Sequence, residues 1–227
     1  MIRIDDLNFR YPGRPELFCG LDFEMTADRK IGLVGPNGSG KTTLFHLIMG
    51  LLKPVSGSIR IFGKERVSED DFREVRERIG FLFQDPNDQL FCATVGEDVA
   101  FGPFNTGRTR HEVEHIVKET LCMVGLEGYE KRITYKLSGG EKKMVSLATV
   151  LAMKPDVLLL DEPTSGLHPA AAKRIVDVLN TTGLPLIAIS HDAYFLKNVT
   201  GEIITIEGGK VKEACLDDFL YFDNREK

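Results

Sequence analysis

The chain contains no run of apolar residues long enough to cross a bilayer. Leu47-Ile48-Met49 and Val157-Leu158-Leu159-Leu160 are typical of its apolar stretches, whereas a spanning helix needs about 20 such residues. Positive charge is not in excess either. Lys and Arg number 29 against 34 Asp and Glu, a formal net charge of −5, so there is no general electrostatic drive toward nucleic acid. The four cysteines, Cys19, Cys92, Cys122 and Cys215, are scattered and form no CxxC pair. They read as reduced thiols of a cytosolic protein, expected as half-buried packing residues rather than redox or metal groups. The N-terminal MIRIDDLNFR carries Asp5 and Asp6 and no apolar h-region, so it does not read as a secretory signal. Repeats, low-complexity tracts and long linkers are also missing.

What is present is an ordinary globular composition. The 227 residues are 42% apolar and 28% charged, with the charges well mixed. That length suits one large domain or two small lobes, and a chain of this size buries roughly 70% of its unfolded surface. Strand and helix patterns alternate, which predicts an α/β fold with a largely parallel sheet. Strands are expected at Ile2–Phe9, Leu21–Met25, Lys30–Val34, Ser58–Phe62, Ile79–Phe83, Val157–Leu160 and Leu186–Ile189. A hairpin is expected from Glu202–Ile206 to Lys210–Glu213 across Gly208-Gly209. From about Thr94 to Met153 the pattern turns helical: Thr109 with Glu112 makes a capping box, Val113, Ile116, Val117, Leu121 and Val124 follow at helix spacing, and Gly125 stops the helix. Pro169 opens a further helix with Ala172, Ile175, Val176 and Leu179 on one face.

Residues Gly35-Pro36-Asn37-Gly38-Ser39-Gly40-Lys41-Thr42 fit the pattern GxxxxGK[ST] between an apolar strand and an amphipathic helix. Glycines let backbone N–H groups turn inward around phosphate oxygens, and the start of the following helix aims its positive end at the same anion. Lys41 is placed to reach the β- and γ-phosphates and Thr42 to coordinate Mg²⁺. After the apolar Val157–Leu160 comes Asp161-Glu162-Pro163-Thr164. Carboxylates at the C-terminal end of a parallel strand point into the crevice where such sheets bind ligands. Asp161 is placed to hold the hydration shell of Mg²⁺, and Glu162 to take a proton from an attacking water.

Leu137-Ser138-Gly139-Gly140-Glu141 precedes a second apolar-faced helix. Locally Ser138 and Glu141 make a capping box, yet two glycines after the cap expose backbone N–H groups and make a second anion site. Both anion sites can serve one nucleotide when two copies pair head to tail.

The series GPNGSGKT, Gln84, LSGGE, VLLLDEP and Ser190-His191-Asp192 resembles an ABC-transporter ATPase subunit over nearly the whole chain. The segment Phe81–Pro103, FLFQDPNDQLFCATVGEDVAFGP, is similar to the energy-coupling-factor ATPases of cobalt, nickel and B-vitamin importers. The resemblance implies a single ABC-type ATP-binding domain over 1–227. Its P-loop NTPase core would have a mostly parallel sheet, an antiparallel β subdomain and a helical subdomain inserted at about 86–153. It also implies roles. Tyr11 would stack on adenine, and Gly35 through Thr43 would bind the phosphates. Gln84 would touch Mg²⁺ or the lytic water and relay nucleotide state. Ser138, Gly139 and Gly140 would contact the γ-phosphate held by the opposite subunit. Glu162 would be the general base, and His191 would hydrogen-bond the γ-phosphate. ATP and Mg²⁺ are the implied ligands. The implied partners are a transmembrane coupling subunit, a second ATPase subunit and a separate substrate-binding membrane subunit, with no nucleic acid. The implied location is the cytoplasmic face of the membrane, with Asp85–Phe91 as the seam to the membrane partner.

Three departures from the family pattern stand out. His168 replaces the usual aspartate of the loop after the acidic pair, which puts the coupling at that loop in question. Glu141 replaces a common glutamine. The chain ends near Lys227, so the longer C-terminal extension of many such subunits, and any dimer contact from it, is expected to be missing. Two rival readings follow. One is a soluble ABC-type ATPase acting on nucleic acid or ribosomes, which usually carries two cassettes or a coiled-coil insertion. The other is a nucleotide-gated partner subunit with weak hydrolysis.

Overall fold

The computed structural model describes residues 1–216. In chain order the elements are β1 (Ile2–Arg10), β2 (Glu16–Met25), β3 (Lys30–Val34), α1 (Lys41–Ile48), β4 (Ser56–Ile61), β5 (Lys64–Glu65), α2 (Glu69–Arg78), β6 (Ile79–Leu82), α3 (Val95–Asn105), α4 (Arg110–Met123), α5 (Gly139–Leu151), β7 (Val157–Asp161), α6 (Pro169–Thr182), β8 (Leu186–Ile189), α7 (Ala193–Val199), β9 (Glu202–Glu207) and β10 (Lys210–Glu213). Short 3₁₀ turns lie at Pro86–Asp88 and Thr134–Lys136. The described residues form two compact units: 1–76 together with 185–216, and Glu77–Leu184.

The first unit holds an antiparallel sheet of order β2-β1-β4-β5. Alternation drives it: Ile2, Ile4, Leu7 and Phe9 of β1 are buried, as are Phe18, Leu21, Phe23 and Met25 of β2. The sequence pattern starts β2 at Leu21, but the strand begins at Glu16. Register shifts along β1 let Leu7 pair with Leu21 and Phe9 with Phe18, so the apolar phase survives irregularities that break a strict period of two. In the same unit β3 lies between β8 and β9, parallel to both, and β10 adds the antiparallel arm of the expected hairpin. Ile31 and Leu33 of β3 and Leu186, Ile187 and Ala188 of β8 are wholly buried or nearly so. This explains why these strands read as continuous apolar runs rather than alternating ones.

The second unit contains the parallel pair β6 and β7, every residue of which is buried, together with α3, α4, α5 and α6. Three of these helices start in capping boxes: Thr94 with Glu97, Thr109 with Glu112 and Ser138 with Glu141. Each cap is worth about 1 kcal/mol. The buried Asp98 carboxylate fixes the entry to α3, accepting from the Phe91 and Cys92 amides at 3.0 and 2.9 Å and from the Thr134 hydroxyl at 2.8 Å. The architecture is therefore α/β, with parallel strands, an antiparallel sheet and packed helices.

The cysteines depart from expectation. Cys19, Cys122 and Cys215 are exposed, and Cys92 alone is half-buried. Cys19 sits on the outward phase of β2, next to buried Phe18, and Cys122 on the outer face of α4, next to buried Leu121. Burial, reinforced by the Asp98 charge, pushes the Cys92 thiol up to about 11, which removes thiolate reactivity near neutral pH. Among the described residues no helix is long and apolar enough to cross a membrane.

Candidate functional site

In the first unit, the pairing of β3 with β8 places Leu33 opposite Ile189. The phosphate loop that follows Val34 and the Ser190-His191 turn that follows Ile189 therefore leave the same edge of the sheet. At that edge Ser190 is wholly buried, its Oγ accepts from the Asp192 amide at 3.0 Å, and His191 is exposed. Within the loop, Lys41 is 7% exposed, and its Nζ donates to the Gly35 and Pro36 carbonyls at 2.7 and 3.0 Å. Its positive charge is thus folded over the loop rather than extended into solvent. The loop passes into α1 through Gly40, whose φ of 103° no other residue type adopts readily. A Cβ there would also lie 2.6 Å from the Phe18 ring.

The helix starts differ. α3, α4, α5, α6 and α7 each carry a side-chain N-cap, whereas α1 begins after Gly40 with no side-chain cap. The first-turn amides and dipole of α1 are therefore offered to an external anion. The Ser39 Oγ in the same loop is buried with no hydrogen-bond partner. An unsatisfied donor, an uncapped helix and a buried ammonium in one loop fit a polyphosphate. Tyr11 borders the loop helix: its hydroxyl lies 3.0 Å from Thr43 Oγ1, and its ring meets Phe9 edge-on at 5.0 Å.

In the second unit, the parallel register sets Leu82 opposite Leu160. Gln84 and the Asp161-Glu162 pair therefore emerge at a common edge. Asp161 is 3% exposed. Glu162 has a φ of 48°, a left-handed conformation that a branched-chain-free but non-glycine residue holds only at a cost of about 1 kcal/mol. Such strain is the kind that functional positions retain. Within this unit Gln84 and Asp161 offer amide and carboxylate oxygens at one edge, donor chemistry that suits Mg²⁺.

Also in this unit, the Ser138 hydroxyl caps the Glu141 amide at 3.3 Å, and Glu141 in turn accepts from the Ser138 amide and hydroxyl at 2.9 and 2.8 Å. The Tyr129 hydroxyl adds a further bond at 2.9 Å. The three contacts to its side chain all use the Glu141 carboxylate as an acceptor, so a carboxylate fits this position. The bonds to Ser138, then the one to Tyr129, hold the Glu141 carboxyl below its usual range. Gly139 is exposed, and a Cβ added there would meet nothing within 4 Å. Packing within the chain does not demand this glycine, although glycine costs a helix about 1 kcal/mol relative to alanine. The glycine leaves that first turn open.

His168 caps α6: its Nδ1 accepts from the Ala170 amide at 3.3 Å, with Pro169 at the first helical position. The imidazole thus takes over the acceptor task that aspartate performs at a helix start. Because aspartate caps better and adds a favourable charge to the dipole, His168→Asp is expected to raise stability by about 0.5 kcal/mol. A thermal melt would show this as a small upward shift, and a fall would contradict the capping role.

One residue of this region escapes the motif reading altogether. Lys143, on α5, is 2% exposed and donates to the carbonyls of Phe83 and Gln84 at 3.1 and 2.7 Å. Its only sequence signal is a lysine falling at the spacing of the buried Met144, Leu147 and Leu151 face.

Residues 18–165 match the ABC transporter domain family. A putative ABC transporter ATP-binding protein of Nitratidesulfovibrio vulgaris is 46% identical over 212 residues, covering 93% of this chain and 78% of that protein. The energy-coupling factor transporter ATP-binding protein EcfA of Methanocaldococcus jannaschii is 41% identical over 215 residues, covering 93% and 77%. Among solved structures, cbiO1 from Clostridium perfringens, part of the ABC transporter complex cbiONQ, aligns with a TM-score of 0.85 at 32% identity, covering 99% of this chain and 92% of that one. The chain belongs to the ABC transporter family as an ATP-binding subunit, an ATPase coupled to transport.

Proposed function

We propose that this chain powers a membrane importer of the energy-coupling-factor type, with a transition-metal ion or a vitamin as cargo, from the cytoplasmic face of the membrane. The observation that carries the catalytic part of this reading is the pair of anion-seeking helix starts in one chain, uncapped α1 and the Gly139-Gly140 start of α5. They suit two cassettes, identical or related, that close on ATP head to tail. Each would lend its α5 start to the γ-phosphate bound by its neighbour's loop. The importer type rests on the Phe81–Pro103 segment and on the names of the relatives above.

Phosphoryl transfer to water is chiefly a matter of positioning and charge neutralisation. Residues Gly35–Thr43 hold the phosphates and Tyr11 stacks on adenine. Lys41 and the α1 dipole offset charge as it spreads over the γ-phosphate, and His191 donates a hydrogen bond to it. Glu162 orients the attacking water and takes its proton. Mg²⁺, held by Thr42, Gln84 and Asp161, would neutralise charge on the phosphate oxygens. ATP favours the closed pair because the γ-phosphate contacts both cassettes only there, and hydrolysis removes that differential contact.

A membrane subunit docking at Asp85–Phe91, within a helical subdomain of about 86–153, would feel this cycle as force. Phe91 and Phe101 support the seam: they are 66% and 48% exposed and stack edge-on at 4.8 Å. A distinct membrane subunit would bind the cargo. Purification of the tagged full-length chain from native membranes, with identification of every co-purifying chain, tests the assignment. A polytopic membrane subunit and a second cassette are expected. Recovery with ribosomes or nucleic acid, and without membrane subunits, would overturn it.

A further inference from the structure

Burying an ammonium is costly unless it is well partnered, and an apolar side chain would pack Lys143's position more cheaply if packing were its only task. Its Nζ instead binds two successive backbone carbonyls, those of Phe83 and Gln84, at 3.1 and 2.7 Å, where the chain leaves β6. The negative charges of Asp161, Glu162 and Asp85 face it. Burial, the dominant influence, lowers its pKa to about 8 against the pull of those three carboxylates.

The same face of α5 is tied to the same segment at further points. Lys142 Nζ donates to Asn87 Oδ1 at 2.9 Å. Gln89 Nε2 donates to the Ser146 carbonyl at 2.9 Å and to Thr149 Oγ1 at 2.7 Å, while Gln89 Oε1 accepts from the Phe83 amide at 3.2 Å. Residues 83–89 and α5 thus form one hydrogen-bonded body. That body includes the open helix start at Gly139 and, through Gln84, the edge from which Asp161 and Glu162 also emerge.

We infer that Lys143 is a positioning residue for hydrolysis: its ammonium fastens the Gln84 backbone to α5 and faces the acidic pair, so that contact at the Gly139-Gly140 start is transmitted to the residues that handle the attacking water. Lys143 touches no substrate itself. The inference rests on Glu162 being the general base.

The test uses the full-length chain with Lys143→Met, which keeps length and loses charge, Lys143→Arg, which keeps charge and donors, and Glu162→Gln as reference. Lys143→Met is expected to lower kcat about tenfold or more, the worth of a charge-assisted hydrogen bond, while ATP affinity by calorimetry stays within about twofold. Lys143→Arg is expected to recover most of kcat. An unchanged kcat in Lys143→Met, or a fall only in proportion to ATP affinity, overturns the inference. If Lys143→Met does not fold, Gln89→Leu cuts the neighbouring ties without stranding a charge. It should lower kcat severalfold at unchanged affinity, and wild-type kcat there overturns the inference. Turnover retained in Glu162→Gln removes the base assignment and this inference with it. Turnover lost in Glu162→Gln but kept in Lys143→Met removes the inference alone.

Discussion

Glu162→Gln is expected to bind ATP as the unaltered chain does and to lose hydrolysis by about 10²–10⁴-fold, the usual contribution of a general base. Gln has the size of Glu and keeps two hydrogen-bonding atoms, so it can still orient a water, but it cannot take the proton. The backbone at this position sits at φ 48°, and the strain there is the same for either side chain. The substitution therefore separates chemistry from folding. The binding determinants named above in the loop, Lys41 and the α1 start, belong to other parts of the sequence, so affinity has no reason to fall. Steady-state phosphate release and nucleotide calorimetry on the same preparation decide the matter. Turnover near the unaltered rate would show that another group, or water alone, removes the proton.

Lys41→Ala is expected to act on the other quantity, weakening ATP binding by about 10–100-fold, the range for losing charge-assisted hydrogen bonds to a phosphate. Lys41 folds back onto the loop, bonded to the Gly35 and Pro36 carbonyls. A phosphate oxygen entering the loop offers its ammonium a stronger, charged acceptor than either carbonyl. Alanine removes that partner and also leaves those two carbonyls with one donor fewer. ADP should suffer less than ATP if Nζ reaches the γ-phosphate. Equal calorimetric affinity of Lys41→Ala and the unaltered chain would rule out the phosphate-loop assignment.

The two variants also show why the sequence was readable where it was. The phosphate loop, the acidic pair after β7 and the capping boxes at Thr109 and Ser138 were legible because their chemistry demands particular residue types at fixed short spacings. The buried strands β3 and β8 were legible to the residue because strands covered on both faces read as unbroken apolar runs. Other features depended on partners far along the chain. The bond of Tyr11 to Thr43 links residues 32 apart. Lys143 reaches carbonyls 59 and 60 residues away, and its charge disguises a buried position in any hydropathy pattern. Helix α2 escaped for a related reason: only Phe72 and Val75 of EDDFREVRER are buried, too few to mark an apolar face. The early start of β2 was hidden by register shifts that only its pairing with β1 reveals. His168 departs from the aspartate of the family pattern, and only the structure shows its capping bond to the Ala170 amide, a local task that either residue can perform.

In the proposed cycle ATP draws two cassettes together over shared triphosphates. The most direct measurement is the solution molar mass of the full-length Glu162→Gln chain by light scattering, with Mg²⁺ and either saturating ATP or ADP, alone and with the second cassette recovered from its complex. A dimer is expected with ATP and a monomer with ADP. A mass that stays monomeric with ATP in both settings, while calorimetry shows the nucleotide bound, would contradict it.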